Sequence, residues 1–128
     1  MTSNLPPRYP WRVTRGAGLS SDLLLVLATC GSRDVADRIA AALVEERQAA
    51  CVNVLPGVSS TYRWQGKIET DDEVLMLIKT TRSRLTGIEA TIRSLSGYEL
   101  PELIAVEISG GAADYLDWVV TSIGTETS

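Results

Sequence analysis

The order of the apolar patterns along the chain is what most restricts its fold. Residues 22–30, DLLLVLATC, form a short, continuously apolar run that is typical of a buried strand. Ser32 then precedes a segment whose apolar residues recur at helical spacing to about Gln48. Residues 50–64 alternate in polarity and predict a second strand. The first half of the chain is therefore predicted to be a strand–helix–strand unit.

The second half repeats this order after a tight reversal. Gln65-Gly66 predicts a two-residue turn between residues 50–64 and a returning strand to about residue 80. Pro56-Gly57 predicts a bulge or kink within the first of these strands. A second helix is expected over 82–95 and a fourth strand over 102–108. Apolar residues at helical spacing, from Tyr115 to Ile123, then predict a short last helix.

Two such units joined by a hairpin give an α+β fold, the ferredoxin-like βαββαβ sandwich, here with a long β-hairpin and an extra C-terminal helix. A length of 128 residues suits one such domain, predicted over 21–124. Residues 1–20 hold three of the five prolines and lack periodicity, so we expect a flexible N-terminal tail or an extended arm on the surface.

Two of the predicted strands are apolar on both faces. Leu23 to Ala28 and Val74 to Ile78 have no polar position, as strands buried on both sides do. Two helices on the same side of a sheet cover only one face of it. The other face is therefore expected to bury itself in an oligomer, with the hairpin as the arm that reaches across.

The absence of histidine limits the chemistry. With no imidazole, the chain cannot use His-based acid–base catalysis, a Ser-His or Cys-His pair, or a His metal ligand, so we do not expect an enzyme. A net charge of −4 without a basic patch disfavours nucleic acid, and no apolar run is long enough to span a membrane. Two cysteines without framework spacing and no visible secretory signal fit a cytoplasmic protein.

The hairpin tip has more aromatic and basic side chains than a simple chain reversal requires. Tyr62, Arg63, Trp64 and Lys67 surround the turn in a chain with only seven large aromatic residues. A ligand-binding surface, an arm that docks on another subunit and chance are the three explanations. The adjoining Asp71-Asp72-Glu73 run is interpreted as a solvated acidic segment.

Three stretches resemble the CutA family of divalent-cation tolerance proteins: AACVNVLPGVSSTYRWQGKIETDDEVLMLIKT, GYELPELIAVEISGG and YLDWV. The resemblance covers about residues 22–123. It implies a homotrimer whose hairpins cross to neighbouring subunits, with an architecture like that of PII-type signalling proteins. Tyr62, Arg63 and Trp64 are then expected at the trimer interface, where aromatic residues and Arg are enriched.

The resemblance also implies binding of copper or another divalent cation. Cys51 matches the family cysteine, and its thiolate suits Cu(I) if several subunits bring theirs together. The alternative is that Cys51 is a small buried hydrophobe. Many relatives have His-Pro-Tyr-Glu where this chain has residues 96–99, Ser-Gly-Tyr-Glu, so one obvious ligand is replaced here.

Four further residues match family positions near the inter-subunit cleft: Lys67, Glu69, Tyr98 and Glu102. They suit either a small anion or metabolite, a hard cation held by oxygen, or a salt-bridge network between subunits. Three functions follow: a metal-binding tolerance protein, a PII-like regulator that binds a small metabolite, and a scaffold without a small ligand.

Overall fold

A four-stranded antiparallel sheet forms the centre of the fold. The computed structural model describes residues 12–13 and 22–124. In chain order its elements are β1 (Arg12–Val13), β2 (Leu23–Cys30), α1 (Arg33–Glu45), β3 (Cys51–Trp64), β4 (Lys67–Thr81), α2 (Leu85–Ser96), β5 (Leu103–Glu107), β6 (Gly110–Gly111) and α3 (Ala113–Ile123). The main sheet has the order β3-β4-β2-β5. This order confirms the predicted ferredoxin-like sandwich with a long hairpin and a C-terminal helix.

The helix ends follow local chemistry. The Ser32 hydroxyl accepts a hydrogen bond from the Val35 N–H at 3.2 Å and caps α1. α1 ends before the predicted Gln48 because Arg47 takes a left-handed conformation, with φ of 59°. At the end of α2, Gly97 has φ of 77° and sends the chain into the loop before β5.

The β3–β4 hairpin has the predicted turn and bulge. Gln65 and Gly66 both have positive φ, 52° and 82°, as a two-residue turn that matches the strand twist requires. The β3–β4 register shifts between Leu55 and Val58, which confirms the irregularity predicted at Pro56-Gly57. Beyond this bulge the hairpin continues as a two-stranded ribbon.

Helices α1 and α2 cover one face of the sheet. The strand residues buried on that face are Val26, Ala28, Cys30, Val74, Met76 and Ile78, and they pack with helix residues that include Ile39, Leu43, Ile88 and Ile92. A second, smaller cluster joins Leu116, Val119 and Ile123 of α3 to Leu23 and Ala50. Burying these side chains supplies the main driving force for folding.

The opposite face carries apolar side chains that no helix covers. We call this surface the open face; it consists of Leu25, Leu27, Leu55, Leu75, Leu77, Ile104 and Val106. Ile104 is 53% exposed and Val106 is 44% exposed. Soluble proteins rarely leave a contiguous apolar patch uncovered. The exposed apolar surface therefore supports the oligomer expected from the sequence. The oligomer itself stays a prediction.

One pairing falls within the predicted tail. Arg12 and Val13 form the short strand β1, antiparallel to Gly110-Gly111 of β6. The rest of the predicted tail lies outside the described residues. The expectation of a flexible tail therefore stays a prediction. Within the described ranges, no helix is long and apolar enough to cross a membrane.

Candidate functional site

A cleft of about 620 Å³ separates the hairpin from the segment that connects α2 to β5. The hairpin side consists of Tyr62, Arg63, Trp64, Asp71 and Glu73, with Thr29 at the floor, and the other side is formed by residues 98–104. This volume lies in the range of small-molecule sites.

Tyr98 joins the two sides of the cleft. Its hydroxyl donates a 2.7 Å hydrogen bond to Glu73 Oε2, and its backbone N–H donates to the Ser96 hydroxyl at 3.2 Å. Partial burial, and then the bond to the Glu73 carboxylate, raises the pKa of the Tyr98 phenol well above its ordinary value. The phenol therefore stays protonated and acts as a donor at neutral pH.

A second phenol–carboxylate pair lies nearer the hairpin tip. The Tyr62 hydroxyl donates to Asp71 Oδ2 across the ribbon. This hydrogen bond is the main cause that raises the pKa of Tyr62 to about 12. Strand alternation places Tyr62 and Trp64 on the same side of the ribbon, where both line the cleft.

Glu102 lies on the far side of the cleft, just ahead of β5. Thr29, which is only 4% exposed, directs its hydroxyl to Glu102 Oε1 at a long 3.5 Å. Glu102 itself is exposed, and the adjacent Pro101 is buried. Two buried residues, Thr29 through its hydroxyl and Pro101 as the preceding residue in the chain, thus position the carboxylate at the cleft surface.

The predicted ligand set is only partly brought together within the chain. Tyr98 and Glu102 line the cleft, whereas Lys67 and Glu69 do not. In the β3–β4 register Lys67 pairs with Trp64, and Glu69 pairs with Tyr62. Because direct cross-strand partners share a face, Lys67 and Glu69 lie on the same face of the hairpin as Trp64 and Tyr62, nearer the tip than Asp71 and Glu73 and outside the cleft lining. Arg63, predicted for the interface along with Tyr62 and Trp64, also lines the cleft.

Sequence reasoning missed Asp71 and Glu73. The run Asp71-Asp72-Glu73 is predicted to be solvated, and Asp71 and Asp72 are exposed, but the run lies inside β4. Because side chains alternate along a strand, Asp71 and Glu73 share a side and both line the cleft, while Asp72 is not among its lining residues. The two-residue spacing within the strand was the signal that could have identified them.

Cys51 lies at the base of the hairpin, beside the open face. Lys79 Nζ is 3.9 Å from Cys51 Sγ and also donates to Asn53 Oδ1. Partial burial, followed by the charge and hydrogen bond of Cys51, raises the pKa of Tyr115. A phenol, a thiol and an ammonium group are therefore close neighbours here.

The other cysteine is on the helix-covered face. Cys30 is fully buried, and its thiol donates weakly to the Ser32 carbonyl at 3.5 Å. Burial is the main cause that raises the pKa of the Cys30 thiol. Across residues 22–124, no group of three or more Cys, Asp or Glu side chains is arranged to hold a metal ion.

Comparison with known proteins gives a consistent match. The family model described as CutA1 divalent ion tolerance protein matches residues 24–122. The divalent-cation tolerance protein CutA of Thermus thermophilus is 46% identical over 78% of this chain and 97% of its own length. The protein CutA of Homo sapiens is 42% identical, over 93% of this chain and 68% of its own.

The similarity extends to three-dimensional structure. The crystal structure of CutA from Xylella fastidiosa superposes with a TM-score of 0.78 at 47% identity, covering 81% of this chain and all of the other. The family description refers to ion tolerance and specifies no reaction. The chain belongs to the CutA1 divalent ion tolerance protein family.

Proposed function

We propose that this protein contributes to divalent-cation tolerance by binding copper or another divalent cation as a homotrimer. The observation that carries the proposal is the 46% identity to a relative named a divalent-cation tolerance protein, over nearly all of that relative's length. The open face supports the self-association, because an apolar surface of this kind is stable when a second copy covers it.

The geometry favours a metal site shared between subunits. Cys51 offers one thiol beside the open face, and residues 22–124 supply no set of three ligands of their own. Thiolates from several copies, converging where the open faces meet, would form a soft site that suits Cu(I). Lys79 works against this arrangement, because its ammonium group must move away before a cation can bind.

Native mass spectrometry on protein without a His-tag, with and without Cu(I) under reducing conditions, tests this proposal. We expect a trimer that gains a fixed number of copper ions and loses that gain in Cys51→Ala. Cys30→Ala is the matched control, since it removes the other thiol from the helix-covered face. A monomer, or copper binding that survives Cys51→Ala, would contradict the proposal.

The second candidate is a PII-like regulator that binds a small metabolite between subunits. The cleft within each chain supports only the small-molecule part of this candidate, because its volume and aromatic lining suit a small molecule. Ligand binding that survives Cys51→Ala but fails in Lys67→Ala would support this candidate. A trimer that carries neither copper nor a small-molecule adduct would favour the third function, a scaffold without a small ligand.

We further propose that the protein acts in the cytoplasm. The support is compositional: two free cysteines without framework spacing suit a reducing compartment. Cell fractionation followed by immunodetection tests this, and recovery in a membrane-enclosed or extracellular fraction would contradict it.

A further inference from the structure

The cleft between the hairpin and the 98–104 segment has an unbalanced charge. Its lining residues include four acids, Asp71, Glu73, Glu99 and Glu102, and one basic residue, Arg63, which strand alternation places on the other side of the ribbon from Tyr62 and Trp64. Acidic side chains carry negative charge at neutral pH, so this surface repels phosphates and carboxylates and attracts cations. The cleft chemistry is thus opposite to that of a nucleotide site, which uses backbone amides and basic groups.

Part of this negative charge is fixed in place by the two phenols. Tyr98 donates to one oxygen of Glu73, and Tyr62 donates to one oxygen of Asp71. A carboxylate accepts through both of its oxygens, so each acid can receive a further donor from a ligand. The tyrosines therefore orient the acids without neutralising them.

The remaining walls suit a carbon skeleton. The cleft contains the rings of Tyr62, Trp64 and Tyr98 and the apolar side chains of Leu100, Pro101, Leu103 and Ile104. Leu100 is 68% exposed and lies outside the open face, so it has apolar surface to bury. Indole and phenol faces attract ammonium groups, and Trp does so most strongly. A hydrated metal ion would gain little from such walls.

We propose that the cleft binds a small organic cation, a protonated amine carried on an aromatic or branched apolar body. The ammonium group lies among the carboxylates, and the apolar body packs against the indole of Trp64 and the 98–104 segment. This inference rests on the second candidate function, in which the cleft is a ligand site, and it names the class of ligand. It is independent of metal binding through Cys51.

Titration of the untagged full-length protein with three probes of similar shape tests the inference. The probes are 2-phenylethylamine, the neutral 2-phenylethanol and the anionic 3-phenylpropionate. Binding is measured by isothermal titration calorimetry and by shifts of the backbone amide signals in NMR spectra. We expect the amine to bind saturably and at least about tenfold more tightly than the other two probes. A difference of about tenfold in Kd requires only a modest contribution of the ammonium charge to the binding free energy. Equal binding of the three probes, tighter binding of the anion, or no binding would overturn the inference.

Glu102→Gln identifies the site, with Asp72→Asn as the matched control. Both variants remove one negative charge from an exposed residue, but Asp72 is not among the residues that line the cleft. We expect Glu102→Gln to weaken amine binding about tenfold and Asp72→Asn to leave it within about twofold. An equal loss in both variants would show only a long-range field and would refute the site.

A copper measurement on the same samples separates this inference from the proposed metal function. Cys51→Ala should leave amine binding unchanged, and Glu102→Gln should leave any copper gain unchanged. Wild-type protein that binds the amine but gains no copper would refute the metal proposal alone. Wild-type protein that gains copper but does not bind the amine would refute the organic-cation site alone.

Discussion

The Tyr98 hydroxyl and Glu73 Oε2 are joined by a hydrogen bond of 2.7 Å that crosses the cleft. Tyr98 follows α2, and Glu73 lies in β4, so this one bond fixes the connecting segment against the hairpin. Its acceptor is a carboxylate and its donor is half-buried, a combination that makes hydrogen bonds stronger than those between neutral, solvated groups.

Removing this hydroxyl should destabilise the fold. We expect Tyr98→Phe to lower the free energy of unfolding by about 1–2 kcal/mol, because it leaves the Glu73 carboxylate without its phenol donor. Urea unfolding followed by circular dichroism measures the change. Tyr62→Phe removes a similar bond from a side chain that is 40% exposed and should have a smaller effect. An equal or larger effect in Tyr62→Phe would contradict the importance of the cleft bond.

The stability of the protein should fall in alkaline solution. The pKa of Tyr98 is raised in the folded protein, so in the unfolded chain this phenol loses its proton at a lower pH. The stability that Tyr98 contributes is complete below pH about 10 and is lost as the pH rises through its folded-state pKa. The free energy difference between the wild type and Tyr98→Phe should therefore shrink above pH about 10.

Urea unfolding at several pH values, with ultraviolet titration of the phenols, measures this loss. In the native protein Tyr62 should titrate near its pKa of about 12. Tyr98 should titrate at a higher pH in the native protein than in denaturant. A difference between wild type and Tyr98→Phe that stays constant, or grows, as the solution becomes more alkaline would contradict the assignment.

Charge placed on the open face should prevent self-association. Ile104→Lys puts an ammonium group on the edge strand β5 of the apolar surface that a second copy would cover, and we expect the proposed trimer to dissociate at micromolar concentration. Light scattering after size exclusion gives the mass. Val44→Lys is the control, because Val44 is 45% exposed on α1 and lies away from the open face. A trimer that survives Ile104→Lys, or that dissociates equally in the control, would show that copies meet elsewhere.

Neutralising Lys79 should strengthen copper binding. Its ammonium group lies 3.9 Å from the Cys51 thiol and repels an incoming cation. We expect Lys79→Met to tighten Cu(I) binding by at least about tenfold. Competition with a Cu(I) chelator measures the affinity, and Lys67→Met, at the hairpin tip, controls for the change in net charge. An unchanged or weaker affinity in Lys79→Met would mean that copper does not bind beside Cys51.

The main elements of the fold were predictable because their signals are local. The apolar runs, the Ser32 cap and the Gln65-Gly66 turn each act within a few residues of chain. The β1–β6 pairing was missed because it joins Arg12-Val13 to two glycines from the other end of the chain, and neither segment alternates in polarity. Pairing at that separation depends on the completed sheet and the position of α3.

The candidate site was less predictable than the fold. Tyr98 and Glu102 were identified by resemblance to a family, and both line the cleft. Asp71 and Glu73 were missed because the partners of a surface acid depend on how the bulge directs the outer hairpin. No local pattern encodes the meeting of Glu73 with a phenol 25 residues away along the chain.

Strand β4 places the two candidate sites on one continuous surface. Asp71 and Glu73 at the cleft, then the leucines at 75 and 77, then Lys79 beside Cys51 all occur at alternate positions of this strand. A subunit that covers the leucines therefore lies between the cleft and the thiol. By thermodynamic linkage, any ligand that prefers the assembled form must tighten the assembly to the same degree that assembly tightens its own binding. Trimer dissociation constants measured with and without each ligand would give that coupling directly.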